Sequence, residues 1–153
     1  MKIYTLNRVQ ILPVKIERAW DFFTSPHNLS KITPTSLDFK VLSKNDGPIH
    51  PGMIIRYTVT PILGIPLNWV TEITHVEYQH LFVDEQRFGP YAFWHHLHKF
   101  KEVEEGVEME DLVHYALPFG LLGAIAHELL VKNKLNDIFD FRTKVLREIF
   151  GAP

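Results

Sequence analysis

Residues 91–117, YAFWHHLHKFKEVEEGVEMEDLVHYAL, decide the fold. Read with a period of two, the segment divides at Glu104-Glu105-Gly106 into two strands, 91–103 and 107–117, joined by a tight hairpin turn. Alternation puts Phe93, His95, Leu97, Lys99 and Lys101 on one face of the first strand and Trp94, His96, His98 and Phe100 on the other. An ammonium rarely stays buried without a partner, so the lysines mark the outer face and the second set turns inward. In the next strand Glu108 and Glu110 mark the outside, which sends Val107, Met109, Asp111, Val113, Tyr115 and Leu117 in. The hairpin therefore predicts an apolar inner face with a histidine, aspartate and tyrosine minority.

The same period extends upstream. Segments 37–42, 53–60, 67–76 and 81–88 read as four more strands, separated by Gly, Pro and Asn/Asp signals. Glu85 and Arg87 face out of the last of these, leaving Phe82, Asp84, Gln86 and Phe88 inward. Segment 67–76 offers Trp69, Thr71, Ile73 and His75 on one face, and 53–60 offers Ile55, Tyr57 and Val59. Residues 2–12 hold Ile3, Val9 and Ile11 at odd positions and suggest a first strand ended by Pro13. Ile16, Ala19, Trp20 and Phe23 then recur at helical spacing. Ser25-Pro26 starts a second short helix, Ser25 as the cap and Pro26 at the first helical position, and it stops before Pro34. The last third changes to a helical period. Leu122, Ile125, Leu129, Ile138, Val145 and Ile149 form one apolar stripe, with Lys132, Lys134, Asp137, Arg142 and Lys144 on the remainder. A helix over 121–149 is about 40 Å long, enough to cross a whole sheet.

Composition narrows the function. The chain has 153 residues, 46% hydrophobic and 22% charged, which predicts one globular domain over residues 1–153. Its net charge is -2 and no Lys/Arg run is present, so no nucleic-acid partner is expected. With no cysteine, thiolate chemistry and disulfides are excluded. MKIYTLNRVQ shows no signal peptide, which makes the cytoplasm the default location. Residues 112–131 are long enough to span a bilayer but contain His114, Pro118, His127 and Glu128, so no stable membrane insertion is expected. No Gly-rich phosphate loop, G-x-S-x-G or H-E-x-x-H occurs.

The order strand, two short helices, six strands, long helix is an α+β arrangement. It resembles the helix-grip fold of the START/Bet v 1-like (SRPBCC, polyketide cyclase-like) superfamily, a seven-stranded curved antiparallel sheet around a long C-terminal helix. FFTSPHNLSKITP, MIIRYTV, GIPLNW, FVDEQRFGPYAFWHHLHKF, DLVHYALPFGLLG and KLNDIFDFR are similar to an uncharacterised bacterial branch of it. The resemblance implies a hydrophobic cavity between sheet and helix, used by relatives to hold lipids, steroids, polyketides or quinones. It carries no motif for one defined reaction.

Three readings remain open for the inward polar groups, which must bond to one another, to water or to a ligand. The first is a satisfied core network. The second is a cavity for a hydrophobic small molecule, in which Tyr57, Trp69, Asp84, Gln86, Trp94, His96, His98, Phe100, Asp111 and Tyr115 contact the guest. Phe119, Leu122 and Ile125, at the start of the long helix, would join them. The third is acid–base chemistry of a cyclase or dehydratase type: His96 or His98 accepts a proton, Asp111 holds the ring's other nitrogen and Tyr115 donates to an enolate. His96 and His98 would also suit two ligands of one metal, with Asp111 or Asp84 as third, but His-x-His alone is a weak signal. Neither metal nor cofactor is expected. TPILGIPLNW, with Ile62, Leu63, Ile65 and Leu67, is a gate, a partner contact or packing, and Gly120 and Gly123 belong to the opposite lip. A protein partner acting through these apolar loops is a further alternative.

Overall fold

The computed structural model describes residues 1–44, 47–61 and 64–153. The chain runs β1 (Tyr4–Leu12), α1 (Ile16–Phe23), two 3-10 turns (Pro26–Ile32 and Thr35–Leu37), β2 (Lys40–Val41), β3 (Ile54–Val59), β4 (Leu67–Glu77), β5 (Leu81–Phe88), β6 (Phe93–Val103) and β7 (Gly106–Ala116). A terminal helical rod follows: α2 (Gly120–Ala126), a π turn (His127–Val131) and α3 (Lys132–Phe150). The seven strands form one antiparallel sheet in the order β1-β7-β6-β5-β4-β3-β2, a meander from β2 to β7 closed by β1 along the far side of β7.

The β6–β7 hairpin turns on Glu104 and Glu105, with Val103 paired to Gly106. Gly106 has φ +136°, and a Cβ there would stand 2.2 Å from the Leu12 carbonyl oxygen. Only glycine lets the end of β1 approach the turn this closely.

Several local features depart from the sequence expectation. The expected strand 37–42 pairs only at Lys40 and Val41, because Leu37 sits in a 3-10 turn and its carbonyl accepts the Thr60 N–H at 2.7 Å. The second short helix is 3-10, with Pro26 in its first turn; the Ser25 side chain makes no capping bond, and its carbonyl instead accepts the Asn28 N–H. In β1 the even positions face inward: Leu6 and Leu12 are buried, while Ile3 and Val9 are exposed. Arg8 and Gln10 on that inner face reach α3, through Arg8 Nη2 to Asn136 Oδ1 (2.7 Å) and Gln10 Nε2 to the Thr143 carbonyl (3.1 Å).

Two bulges reverse the alternation near the sheet's middle. Val70 pairs with Phe88 but Thr71 with Gln86, leaving Arg87 as an extra residue, and Phe88 swings out to 72% exposure. Ile73 pairs with Asp84 but His75 with Val83, leaving Thr74 extra, and His75 turns outward, where it pairs with Glu77. Phe88 and His75 are therefore not inward residues.

The rod does not bury the expected stripe. Leu122 and Leu129 are 72% and 76% exposed, and Ile125 is half exposed. The buried positions of α3 are Leu135, Phe139, Arg142, Leu146 and Phe150, with Ile138, Val145 and Ile149 partly covered. The π turn accounts for the difference: its wider turn changes the phase between α2 and α3, so one helical wheel cannot describe both. Gly123 permits the start of the rod to touch Pro118, whose carbonyl oxygen would be 2.1 Å from a Cβ.

Two apolar clusters pack between sheet and rod. One gathers Leu12, Trp20, Phe82, Phe100, Met109, Leu146 and Phe150 under α1; the other gathers Leu6, Trp94, Val113, Tyr115, Leu135 and Phe139 nearer the start of α3. Successive inward positions of β6 pass from one to the other. Trp94 belongs to the second cluster, Phe100 to the first, and His96 and His98 lie between them.

Candidate functional site

Strand register brings four polar residues together at that midpoint. Asp84 of β5 pairs with His96, and Asp111 of β7 pairs with His98. His98 Nε2 donates to Asp84 Oδ2 at 2.7 Å, and His96 Nε2 donates to Asp111 Oδ1 at 2.8 Å. The other ring nitrogens complete a closed loop: His98 Nδ1 lies 3.1 Å from Asp111 Oδ1, misaligned for a hydrogen bond, and His96 Nδ1 lies 3.5 Å from Asp84 Oδ2. The rings are held by stacking, His98 on Phe82 with centroids 4.1 Å apart, and His96 against the edges of Trp94 and Phe139.

Arg142 of α3 closes the cluster from the helix side. Its Nη1 is 3.4 Å from both oxygens of Asp111, and its plane lies over Phe139. The sequence reading placed Arg142 on the outer part of the helix. The structure buries it, because the spacing 135, 139, 142, 146, 150 is the inward stripe of α3 and the cation there meets the inward carboxylate of β7. That spacing, set against an inward Asp111, is the signal that would have found it.

Burial and charge pull these groups in opposite directions. Burial alone would raise the Asp111 carboxyl, but the Arg142 guanidinium, the bond from His96 and the adjacent His98 ring hold it well below the usual carboxylate range. Burial likewise opposes ionisation of Asp84, and the neighbouring His96 and His98 more than offset it. His96 is pushed down by burial and by the like charge of His98. His98 is pushed down by burial too, yet the adjacent Asp111 carboxylate and its bond to Asp84 bring it out above the ordinary histidine value.

Beside the cluster lies a cavity of about 730 Å³ between the sheet and the rod. Of the expected contact residues, Tyr57, Trp69, Asp84, Trp94, His96 and His98 line it, and Phe119 and Leu122 form part of its rim. Most of the remaining wall is apolar, including Leu29, Ile55, Val59, Leu67, Ile73 and Phe139. Phe119 is 82% exposed and has a left-handed backbone (φ +68°), which projects its ring from the β7–α2 junction. Pro61 and Ile65 stand on the cavity too; Ile62 and Leu63 of the expected gate lie outside the described residues.

The other expected contacts lie away from the cavity wall. Phe100 packs against Trp20, Phe23 and Phe82 in the filled end of the groove. Gln86 is used up by the β5–β6 connection, where its amide bonds both the N–H and the carbonyl of Tyr91. Asp111 sits behind the histidines, and Ile125 is on the outer side of α2. The Tyr115 hydroxyl donates to His127 Nε2 at 2.9 Å, not to the His96–His98 cluster. His127, unremarked as a functional residue from sequence, is buried and stacked on Tyr4 with ring centroids 3.4 Å apart, and its Nδ1–H points to Glu128. Lys134 also lines the cavity and has no carboxylate partner among the described residues.

Donors remain unspent on this wall. Among the described residues Arg142 Nε and Trp69 Nε1 are buried without a hydrogen-bond partner, and both residues line the cavity. Tyr57 is fully engaged: its hydroxyl bonds Thr71 Oγ1, and burial raises its pKa.

No protein-family model and no curated protein matches the sequence. Solved structures do match in shape. A Chromobacterium violaceum protein superposes with a TM-score of 0.74 at 13% identity, over 97% of this chain and 99% of its own. A Mycobacterium smegmatis protein gives 0.65 at 16% identity, over 97% and 98%. Ara h 8.0201, a Bet v 1 homologue, gives 0.62 at 13% identity, over 96% and 99%. At such identities the likeness concerns architecture alone, and what it establishes is the Bet v 1-like helix-grip fold: a curved seven-stranded antiparallel sheet closed around a long C-terminal helix.

Proposed function

We propose that the protein binds a hydrophobic small molecule, of lipid, quinone or polyketide-like character, in the space between the sheet and the rod. The observation that carries this reading is the cavity of about 730 Å³, within the size range of small-molecule sites, with a largely apolar wall and one polar sector. Burying about 300 Å² of apolar ligand surface contributes roughly 7 kcal/mol before the cost of association, enough for micromolar to millimolar affinity. The polar sector supplies orientation. Arg142 Nε and Trp69 Nε1 are donors without acceptors, so a guest carrying a carbonyl, phenolate or carboxylate oxygen would satisfy groups that the empty protein leaves unpaired.

Titration with the neutral fluorophore N-phenyl-1-naphthylamine tests this directly. Saturable binding at one site per chain, reversed by long-chain alcohols or quinones, is the expected result. A folded protein that does not enhance the probe's fluorescence, and that carries no organic molecule in native mass spectrometry, would overturn the reading.

Proton transfer on the bound guest is a second reading, favoured by one observation: His96 Nδ1 faces Asp84 across 3.5 Å on the cavity wall while Asp111 holds its Nε2. It assigns the acid–base role to His96 and gives Tyr115 none, since that hydroxyl is engaged by His127. Under this reading His96→Gln abolishes turnover of a dicarbonyl guest while its affinity stays within a few fold.

A further inference from the structure

We propose that Asp84, His96 and His98 form a binding site for one divalent first-row transition-metal ion, of the zinc or iron(II) kind, in the cavity wall. The convergence of donor atoms is the primary observation: one ligand atom from each residue lies within 4.8 Å of the other two. Asp84 Oδ2 is 2.7 Å from His98 Nε2 and 3.5 Å from His96 Nδ1. Metal bonds of about 2.0–2.2 Å to imidazole and carboxylate hold neighbouring donors roughly 3–3.5 Å apart; Asp84 and His96 already have this spacing, and Asp84 and His98 would separate slightly as the ion replaces the proton between them.

What stands behind the imidazoles supports the same conclusion. A metal-bound histidine generally presents its other nitrogen to a carboxylate, which fixes ring orientation and raises ligand basicity. Here Asp111 Oδ1 accepts from His96 Nε2 at 2.8 Å and lies 3.1 Å from His98 Nδ1, near enough to accept its proton after a small rotation of the ring. Asp111 is itself held by Arg142. The arrangement has a direction as well: Asp84, His96 and His98 line the cavity and Asp111 does not, so the remaining coordination positions open toward the space where a guest would sit.

Charge favours a cation at this point. Two carboxylates face one guanidinium, so the buried cluster calls for a second positive charge, which is either the proton between His98 Nε2 and Asp84 or a metal ion that displaces it. Two nitrogens and one carboxylate form a ligand set suited to zinc or iron(II), whereas calcium and magnesium take oxygen donors. The sequence offers Asp111 or Asp84 as a third ligand beside a weak His-x-His signal; the sheet register brings both to the pair, Asp84 across from His96 and Asp111 across from His98.

The ion's binding does not require the organic guest, and the two readings can fail separately. Protein stripped with EDTA is titrated with Co²⁺, followed by visible d–d absorption, with Zn²⁺ as competitor and N-phenyl-1-naphthylamine binding measured in parallel. About one Co²⁺ per chain, displaced by Zn²⁺, is expected. Asp84→Asn and His98→Gln should each weaken it more than about 100-fold, Asp111→Asn roughly 10–100-fold, and His95→Ala on the outer face not at all. If a variant loses its near-UV circular dichroism, the wild-type protein decides instead. Paramagnetic broadening must then be strong on the indole resonances of Trp94, which touches His96, and weaker on those of Trp20, which the Phe82 ring separates from His98. Folded wild-type protein that takes up no Co²⁺ would overturn the proposal, as would binding that survives in folded Asp84→Asn and His98→Gln or that disappears with His95→Ala. Co²⁺ uptake without probe binding would leave this site standing and remove the apolar guest; probe binding without Co²⁺ would do the reverse.

Discussion

Arg142 and Asp111 are buried against each other between α3 and β7, and each compensates a charge that the surrounding apolar groups cannot solvate. Removing one partner strands the other. Arg142→Met is expected to cost about 3–5 kcal/mol in urea unfolding, and Asp111→Asn added to it should recover part of that loss by neutralising the stranded carboxylate. The same carboxylates give the protein an acid limit. Asp84 and Asp111 have folded-state pKa values below those of the unfolded chain, so their stabilisation is complete above about pH 4 and is lost as pH falls through the lower folded values. His98, raised in the folded state, acts oppositely: its contribution is present below about pH 6.5 and disappears as pH rises through its folded value. The urea midpoint of the metal-free protein should therefore fall steeply below about pH 4, and less steeply in Asp111→Asn.

Among the elements, the hairpin 91–117 was readable because its charges mark one face up to the turn: Lys99 and Lys101 outside, Glu108 and Glu110 outside, and Trp94, His96, His98, Met109 and Asp111 inside, as observed. Where the backbone inserts an extra residue, reading by period fails. Arg87 and Thr74 are the inserted residues of two bulges, and neither side chain announces that role. The rod poses the same difficulty, since the π turn at His127–Val131 changes helical phase without a Pro or Gly at the turn itself. Gly123 is where the rod is most tightly constrained. Gly123→Ala would drive a Cβ to 2.1 Å from the Pro118 carbonyl, and because both sides of that contact are backbone the expected cost is about 1–3 kcal/mol, read as a lower unfolding midpoint.

At the scale of the molecule, the groove between sheet and rod is packed at one end and open at the other. Trp20, Phe100, Leu146 and Phe150 fill the space under α1, and the cavity runs from Phe23, Leu29 and Phe82 past Trp69 and Trp94 to the start of the rod. Ala126 lines that cavity and is itself exposed, so a large side chain there meets the opening without disturbing the core. Ala126→Trp is expected to lower affinity for N-phenyl-1-naphthylamine about tenfold (roughly 1.4 kcal/mol) with an unchanged urea midpoint; equal affinity would show that the guest uses another route. Among the described residues no helix is long and apolar enough to cross a membrane, although Phe119, Leu121, Leu122 and Leu129 are exposed around the rim.

The amino-acid order by itself determined the periods of two and of helix, the hairpin turn at Gly106, and hence a meander followed by a long helix. It also determined that His96, His98 and Asp111 share the inner surface, because alternation is a local property of an extended chain. Only tertiary structure decided that Phe100 would be packed away and that Gln86 would be spent on the β5–β6 connection. It alone decided that Arg142 would turn inward to meet Asp111, and that Tyr115 would be claimed by His127. Those outcomes depend on bulges, a π turn and the pairing of residues 31 and 12 positions apart, and on how two packed surfaces share their volume, none of which is written in the spacing of neighbours along the chain.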